Sequence, residues 1–312
     1  MVDWRPLMGA IPPIGEVQWN EVFDAYKASP QYTQVNAWME LADFKRIFFW
    51  EYTHRLMGRL IGVVAFVPWL YFTVRGRLAR WLSIRVVIAI VLGGAQGLLG
   101  WFMVQSGLVD RPAVSHLRLA AHLLLAFAIA QWVLVILLDL QWGRVASWRS
   151  RNSRLMLGFL GLLTLQIVYG AFMAGTHAGL LFPSFPDMNG GYAPGQFFPL
   201  ESLSTNLLYS PIAIHYTHRL LGFLMVGFAA LIFLAMRDSE LTPGWVKAQF
   251  GLVLVLQFGL GALTALYQAP IALAIAHQAG AFVLACSTTL LAHRSARQPR
   301  DEQALPPGSN AL

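Results

Sequence analysis

Seven stretches of about 20 residues, almost free of charge, divide this chain, at about 53–74, 83–105, 118–140, 155–176, 211–236, 246–268 and 271–292. Each is long enough to cross roughly 30 Å of hydrocarbon as an α-helix. Helix is required there, because lipid offers a free backbone N–H or C=O no partner. Between the stretches the basic residues fall on alternate connections. Arg75, Arg77 and Arg80, then Arg144, Arg149, Arg151 and Arg154, then Arg237 and Lys247, then Arg294, Arg297 and Arg300 mark a cytoplasmic side. The connection at about 177–210 holds Asp187 and Glu201 but no Lys or Arg, so it is expected outside, with the region before His54. The fold class read from this pattern is an all-α polytopic membrane protein.

Composition agrees. With 57% hydrophobic residues, 12% charged and a mean hydropathy of +0.56, the 312 residues have too little ionic surface for a soluble globular domain. The net charge of +7 does not point to nucleic acid, since the basic residues sit in short clusters between apolar spans. Cys286 is the single cysteine and lies inside a span, which excludes an internal disulfide, a thiolate metal cluster and a paired-cysteine redox site. Redox chemistry would need a cofactor. The tail from 296 to 312 is polar, with Pro and Gly, and is predicted to be a disordered cytoplasmic end.

The chain repeats itself. Tyr52-Thr53-His54-Arg55-Leu56-Met57-Gly58 returns as Tyr216-Thr217-His218-Arg219-Leu220-Leu221-Gly222, and Ala121-His122 returns as Ala276-His277 ahead of Phe127 and Phe282. Gln96-x-x-x-Gly100 recurs as Gln257-x-x-x-Gly261. Spacings of 155 to 164 residues imply two bundles related by pseudosymmetry. The expected layout is an extracytoplasmic N-terminal loop at 1–50, a first bundle at 51–142, a second at 143–295 with the outer loop inside it, and the tail. In the second half a span with Gln166-x-x-x-Gly170 precedes the His218 helix. Its counterpart would lie before residue 1, so the repeat implies a four-plus-four parent of which seven spans are seen. The opening residues have no apolar core of a signal peptide.

Ionisable groups in membrane helices are functional candidates, because burying them in hydrocarbon is costly. His54, His122, His218 and His277 stand near the outer ends of their helices, two in each half. A pair facing across a bundle can ligate one haem iron axially through neutral imidazoles. Zinc would want more donors in a tetrahedral set. His116 and His177 read as interfacial, and His293, beside Arg294 after the last span, as solvated. Glu51 is one helical turn before His54, and its repeat counterpart is His215, so the halves differ there. Arg55 and Arg219 follow the ligand candidates and are candidate haem propionate partners. Gly93-Gly94-Ala95-Gln96-Gly97 and Gly259-Leu260-Gly261-Ala262 read as helix-packing surfaces. Trp4, Trp19, Trp38 and Trp50 read as an outer interfacial belt.

The run Phe44-Lys45-Arg46-Ile47-Phe48-Phe49-Trp50-Glu51-Tyr52-Thr53-His54-Arg55-Leu56-Met57-Gly58-Arg59, preceded by Trp4-Arg5-Pro6-Leu7-Met8-Gly9-Ala10-Ile11-Pro12-Pro13, resembles the haem A synthase family of alphaproteobacteria and mitochondria. Gln166-Ile167-Val168-Tyr169-Gly170-Ala171-Phe172-Met173-Ala174-Gly175, with Ala178-Gly179 and Phe185-Pro186-Asp187-Met188-Asn189-Gly190, is similar to a further signature of that family. The resemblance covers nearly the whole chain. It implies an eight-helix oxidoreductase that converts the C8 methyl group of haem O into the formyl group of haem A, with water as oxygen source, for cytochrome c oxidase. It also implies haem b on His218 and His277, substrate haem between His54 and His122, and Glu51 as catalytic acid. The partners implied are haem O synthase (a protohaem farnesyltransferase) and oxidase assembly proteins in the bacterial inner membrane, with the C-terminus cytoplasmic and the haem sites toward the periplasm. A homo-oligomer is allowed. The chain departs from some members in having no cysteine pair in its first outer loop. Two other functions need the same histidines: a di-haem electron-transfer protein without an organic substrate, and a haem carrier that binds without reacting.

Overall fold

A computed structural model describes residues 11–109, 112–145, 147–193, 199–237 and 242–296. Trp4 and its neighbours, Arg297, Arg300 and the tail lie outside the described residues. The described chain is helical, with a lone bridge between Met188 and Gly191 and no strand. The elements are α1 (Glu16–Lys27), α2 (Leu41–Val74), α3 (Arg80–Val109), α4 (His116–Trp142), α5 (Arg151–Gly175), α6 (Leu203–Tyr209), α7 (Pro211–Ala235), α8 (Gly244–Leu266) and α9 (Ile271–Ala296). Among the described residues seven of these helices are long and apolar enough to span a membrane, and they coincide with the seven apolar stretches.

The largest departure from the hydropathy pattern is at α2, which begins at Leu41 rather than near 53 and has 34 residues. That is about 51 Å of helix against roughly 30 Å of hydrocarbon. The extra turns are amphipathic, so a search for uncharged runs passes over them. Glu40 and Asp43 form a capping box that starts the helix in a polar setting. Phe44 and Phe48, one turn apart, bury themselves against Phe23 and Tyr26 of α1. Phe44 lies 5.0 Å from Tyr26 and 5.1 Å from Phe23 between ring centres, and Trp19 meets Phe48 edge-on at 5.0 Å. The region expected as a plain N-terminal loop therefore holds a helix and an aromatic core, with a short π-helical turn at Tyr32–Asn36 between α1 and α2.

The chain forms two compact units, residues 1–126 and 127–312, and α4 contributes its first part to one and its second part to the other. In the second unit α5 packs along α7 and α9, and α8 along α9. Met156, Phe159, Leu163 and Ile167 repeat at helical spacing and form the buried face of α5. Phe159 meets Phe250 of α8 at 5.2 Å and Phe228 of α7 at 5.9 Å. In lipid such contacts hold helices together by close packing, since lipid tails compete for any apolar surface.

One expectation is overturned here. His293 is not solvated: it is fully buried, and its Nε2 lies 2.9 Å from Asp139 Oδ1 of α4. The reason is that α9 continues to Ala296, so His293 falls on the inward face while Arg294 turns out over the Trp142 ring at 4.9 Å. The signal in the sequence was Asp139, the one acid of its apolar stretch, which had to find a partner. Ser295 extends the junction, its carbonyl accepting from Ser150 Oγ at 2.8 Å and its hydroxyl meeting Thr242 at 3.3 Å. Replacing Asp139 with Ala leaves His293 buried without this partner. The expected loss of stability is about 3 kcal/mol, read as an earlier transition in detergent-induced unfolding.

Candidate functional site

In the first unit α2 presents His54 and α4 presents His122, with ring centres 6.5 Å apart and ring planes at 69°. In the second, His218 of α7 and His277 of α9 face each other at 6.4 Å and 78°. The two separations agree within 0.1 Å although the residues come from different helices. Two imidazole–metal bonds of about 2 Å, plus roughly 1 Å from each nitrogen to its ring centre, need about 6 Å. Nδ1 of His122 and of His218 is buried without a hydrogen-bond partner. Among the described residues no group of three or more His, Cys, Asp and Glu is placed to hold a metal ion. Each unit thus offers two imidazoles from different helices at this separation, a donor set that suits the axial positions of a haem iron. His54 is exposed, and the other three rings are half-buried.

Glycine makes room for three of these rings. A Cβ on Gly100 would stand 2.9 Å from His122 Cε1, one on Gly261 2.9 Å from His277 Cε1, and one on Gly170 3.4 Å from His218 Cε1. The imidazoles lie against the bare backbone of α3, α8 and α5. Within the small-residue runs singled out in the sequence, a Cβ on Gly93, Gly94, Gly97 or Gly259 would meet nothing within 4 Å, and only Gly261 lies under a ring. Close approach is needed at the last position of each Gln-x-x-x-Gly motif, just past the first run and inside the second.

The residue three before each α2 or α7 histidine pairs with the arginine that follows that histidine. Glu51 Oε1 lies 3.2 Å from Arg55 Nη1, both side chains about three-quarters buried and both on α2. Arg55 Nε is buried without a partner, so this guanidinium has a donor to spare. In the second unit His215 takes the place of Glu51. Its Nε2 accepts from Arg219 Nε at 2.9 Å, and its Nδ1 lies 2.8 Å from the Ala178 carbonyl.

Arg219 also anchors the outer loop. Its Nη1 donates to the carbonyl of Asp187 and its Nη2 to that of Phe182 at 2.8 Å, so each guanidinium nitrogen holds a protein acceptor. Those carbonyls belong to the outer loop, which is built as a compact turn. Ser184 Oγ accepts from Asn189 N at 2.7 Å, Asp187 Oδ2 accepts from Gly190 N at 2.8 Å, and Asn189 and Gly190 take the left-handed backbone the turn requires, at φ 56° and 93°. Phe185 then stacks on Phe223 at 5.9 Å and meets Phe258 at 5.7 Å. The loop is docked on α7 and α8, a turn beyond His218.

Duplicated bis-imidazole units in a helical membrane protein define the class, and the comparisons name the family. The chain belongs to the cytochrome oxidase assembly protein family, whose model matches residues 1–289. It is 39% identical over 300 residues to a protein of Parvibaculum lavamentivorans named "Heme A synthase", covering 95% of this chain and 86% of that one. Proteins with the same name from Paramagnetospirillum magneticum (41% over 298 residues, 91% and 82% covered) and Paracoccus denitrificans (36% over 308 residues, 96% and 80% covered) are similarly related.

Two outcomes test this geometry. In titrations with added haemin, purified Gly261→Ala protein is expected to develop a much weaker Soret band than Gly259→Ala, because its new Cβ displaces His277. Arg219→Gln is expected to free the loop at 182–190, seen as at least tenfold faster amide hydrogen exchange there, since about 1.4 kcal/mol of lost hydrogen bonding is a tenfold change in opening.

Proposed function

We propose that this protein is a haem A synthase of the bacterial inner membrane, oxidising the C8 methyl group of haem O to a formyl group. The observation that carries the reading is the unlike neighbour of two like pairs. The first unit has a carboxylate, Glu51, one turn from His54. The second has His215 there, locked between Arg219 and a backbone carbonyl. A pair meant only to relay electrons needs no such difference. The names of the relatives point the same way.

In this reading His54 and His122 receive the substrate haem, and His218 and His277 hold a resident haem b. When bound, the resident haem supplies one-electron redox chemistry. The reaction takes one water: a methyl group and water give a formyl group, four protons and four electrons, the electrons leaving to an external acceptor. The oxygen enters through an alcohol and then a hydrated aldehyde, which loses water. Glu51 accepts protons as the methyl carbon is oxidised, and its negative charge favours a cationic carbon in the transition state. Arg55 holds Glu51 in place at 3.2 Å and has Nε free for a propionate of the substrate. Arg219 chiefly anchors the loop, with its remaining donors available to a propionate in the second unit. The product would pass to cytochrome c oxidase assembly, and the substrate would come from the farnesyltransferase that makes haem O. The basic connections face the cytoplasm, together with the C-terminus, and both histidine pairs lie toward the periplasm.

The test is co-expression with haem O synthase, followed by extraction and separation of the haems. The parent protein is expected to yield a formyl haem, and Glu51→Ala about 10²- to 10⁴-fold less of it with haem b retained. His277→Ala is expected to lose haem b and keep substrate haem. An extract holding haem b alone from the parent would fit an electron-transfer protein and end the proposal.

A further inference from the structure

Three glutamines occupy one place relative to three of the four paired histidines, and the reaction as written does not use them. Gln96, Gln166 and Gln257 each stand four residues before the glycine on which an imidazole rests, so amide and glycine share a helix face. Gln96 Nε2 lies 3.4 Å from His122 Nε2, Gln166 Nε2 lies 3.3 Å from His218 Nε2, and Gln257 Nε2 lies 3.2 Å from His277 Nδ1. In all three the amide oxygen is buried without a hydrogen-bond partner. The pocket around Gln257 is shaped for it. Gly280, three residues past His277, leaves the space in which Gln257 Oε1 lies, and a Cβ there would overlap that atom.

A buried carbonyl without a donor is destabilising, because it has given up its bond to water and gained none. At Gln166 and Gln257 that deficit has one economical resolution, whereas at Gln96 the Nε2 also donates to the His122 carbonyl at 3.0 Å, a bond that fixes that amide as it stands. The oxygen and nitrogen of a glutamine amide are nearly isosteric, and a half-turn exchanges them. Oε1 then stands where Nε2 did, against a ring nitrogen, and accepts its N–H. A half-turn of an imidazole about its Cβ–Cγ bond likewise brings Nδ1 to the edge that Nε2 leaves. An imidazole that donates its proton on one side has a bare lone pair on the other, which is the form that ligates iron. A neutral amide does this without placing an extra negative charge in hydrocarbon.

We propose that Gln166 and Gln257 are positioning residues that fix the tautomer and orientation of His218 and His277 toward haem iron. Each amide oxygen accepts the proton of the ring nitrogen that does not ligate. The inference rests on the haem-binding reading above.

The experiment uses purified, haem-loaded protein and two readouts that do not depend on turnover: the midpoint potential of the resident haem, and the rate of haem transfer to a haem-free globin. Gln257→Leu removes the acceptor. It is expected to raise the potential, because a less basic ligand donates less to ferric iron, and to speed haem loss 10- to 100-fold. Gln257→Glu keeps the shape and strengthens the acceptor. It is expected to lower the potential and to hold haem as the parent does. A role in packing alone would move both variants in one direction or leave both at the parent value, and either result overturns the proposal. If Gln257→Leu fails to accumulate, Gln166→Leu and Gln166→Glu make the same comparison at His218. Parent protein without a Soret band would sink the haem reading and this inference together, whereas a normal band with unmoved potentials sinks this inference alone.

Discussion

The cost of placing an imidazole in hydrocarbon governs this molecule. Each of His122, His218 and His277 is a polar ring on a helix that lipid would otherwise surround, and each is accommodated by a neighbouring helix with a glycine under the ring and an amide beside it. That requirement sets which helices touch. α3 must bring Gly100 to α4, α5 must bring Gly170 to α7, and α8 must bring Gly261 to α9. The aromatic packing of Phe159, Phe228 and Phe250 then holds α5, α7 and α8 at that distance from a level away from the rings. Apolar contact alone could not choose this arrangement, because lipid satisfies a leucine as well as a neighbouring helix does.

The two units share a frame and differ in one residue where chemistry is concerned. Tyr-Thr-His-Arg occurs in both, and in both the arginine reaches back one turn. With Glu51 the partner is a carboxylate about three-quarters buried. With His215 it is a ring whose two nitrogens are both committed, to Arg219 and to Ala178. A difference at one position therefore leaves the first unit with a carboxylate paired along its own helix and the second with an imidazole tied to another segment.

Much of this was legible in the residues. The seven spans, the two histidine pairs and the place of Glu51 follow from apolar run length and from a repeat of seven residues, signals that lipid makes strong. The amphipathic start of α2 was not legible, because Phe44 and Phe48 are separated by charges and their burial depends on α1, a tertiary partner. His293 was misread for a related reason: its neighbour Arg294 suggested solvent, and the pairing with Asp139 spans 154 residues of sequence. The Gln-x-x-x-Gly motifs were visible as repeats, but their use was not. A glycine beside other glycines looks like a packing stripe, and only the neighbouring helix tells Gly100, under a ring, from Gly97, which faces open space.

The docked loop has a kinetic side. Arg219 joins the carbonyls of Phe182 and Asp187 to the helical turn that carries His218, and Phe185 is wedged between Phe223 and Phe258. The loop can lift from α7 and α8 only after those bonds and that stack have opened together. The Glu51–Arg55 pair lies along a single helix and can part without unseating a loop. The first arginine thus forms a local contact that can break alone, and the second a tertiary one whose rupture is cooperative.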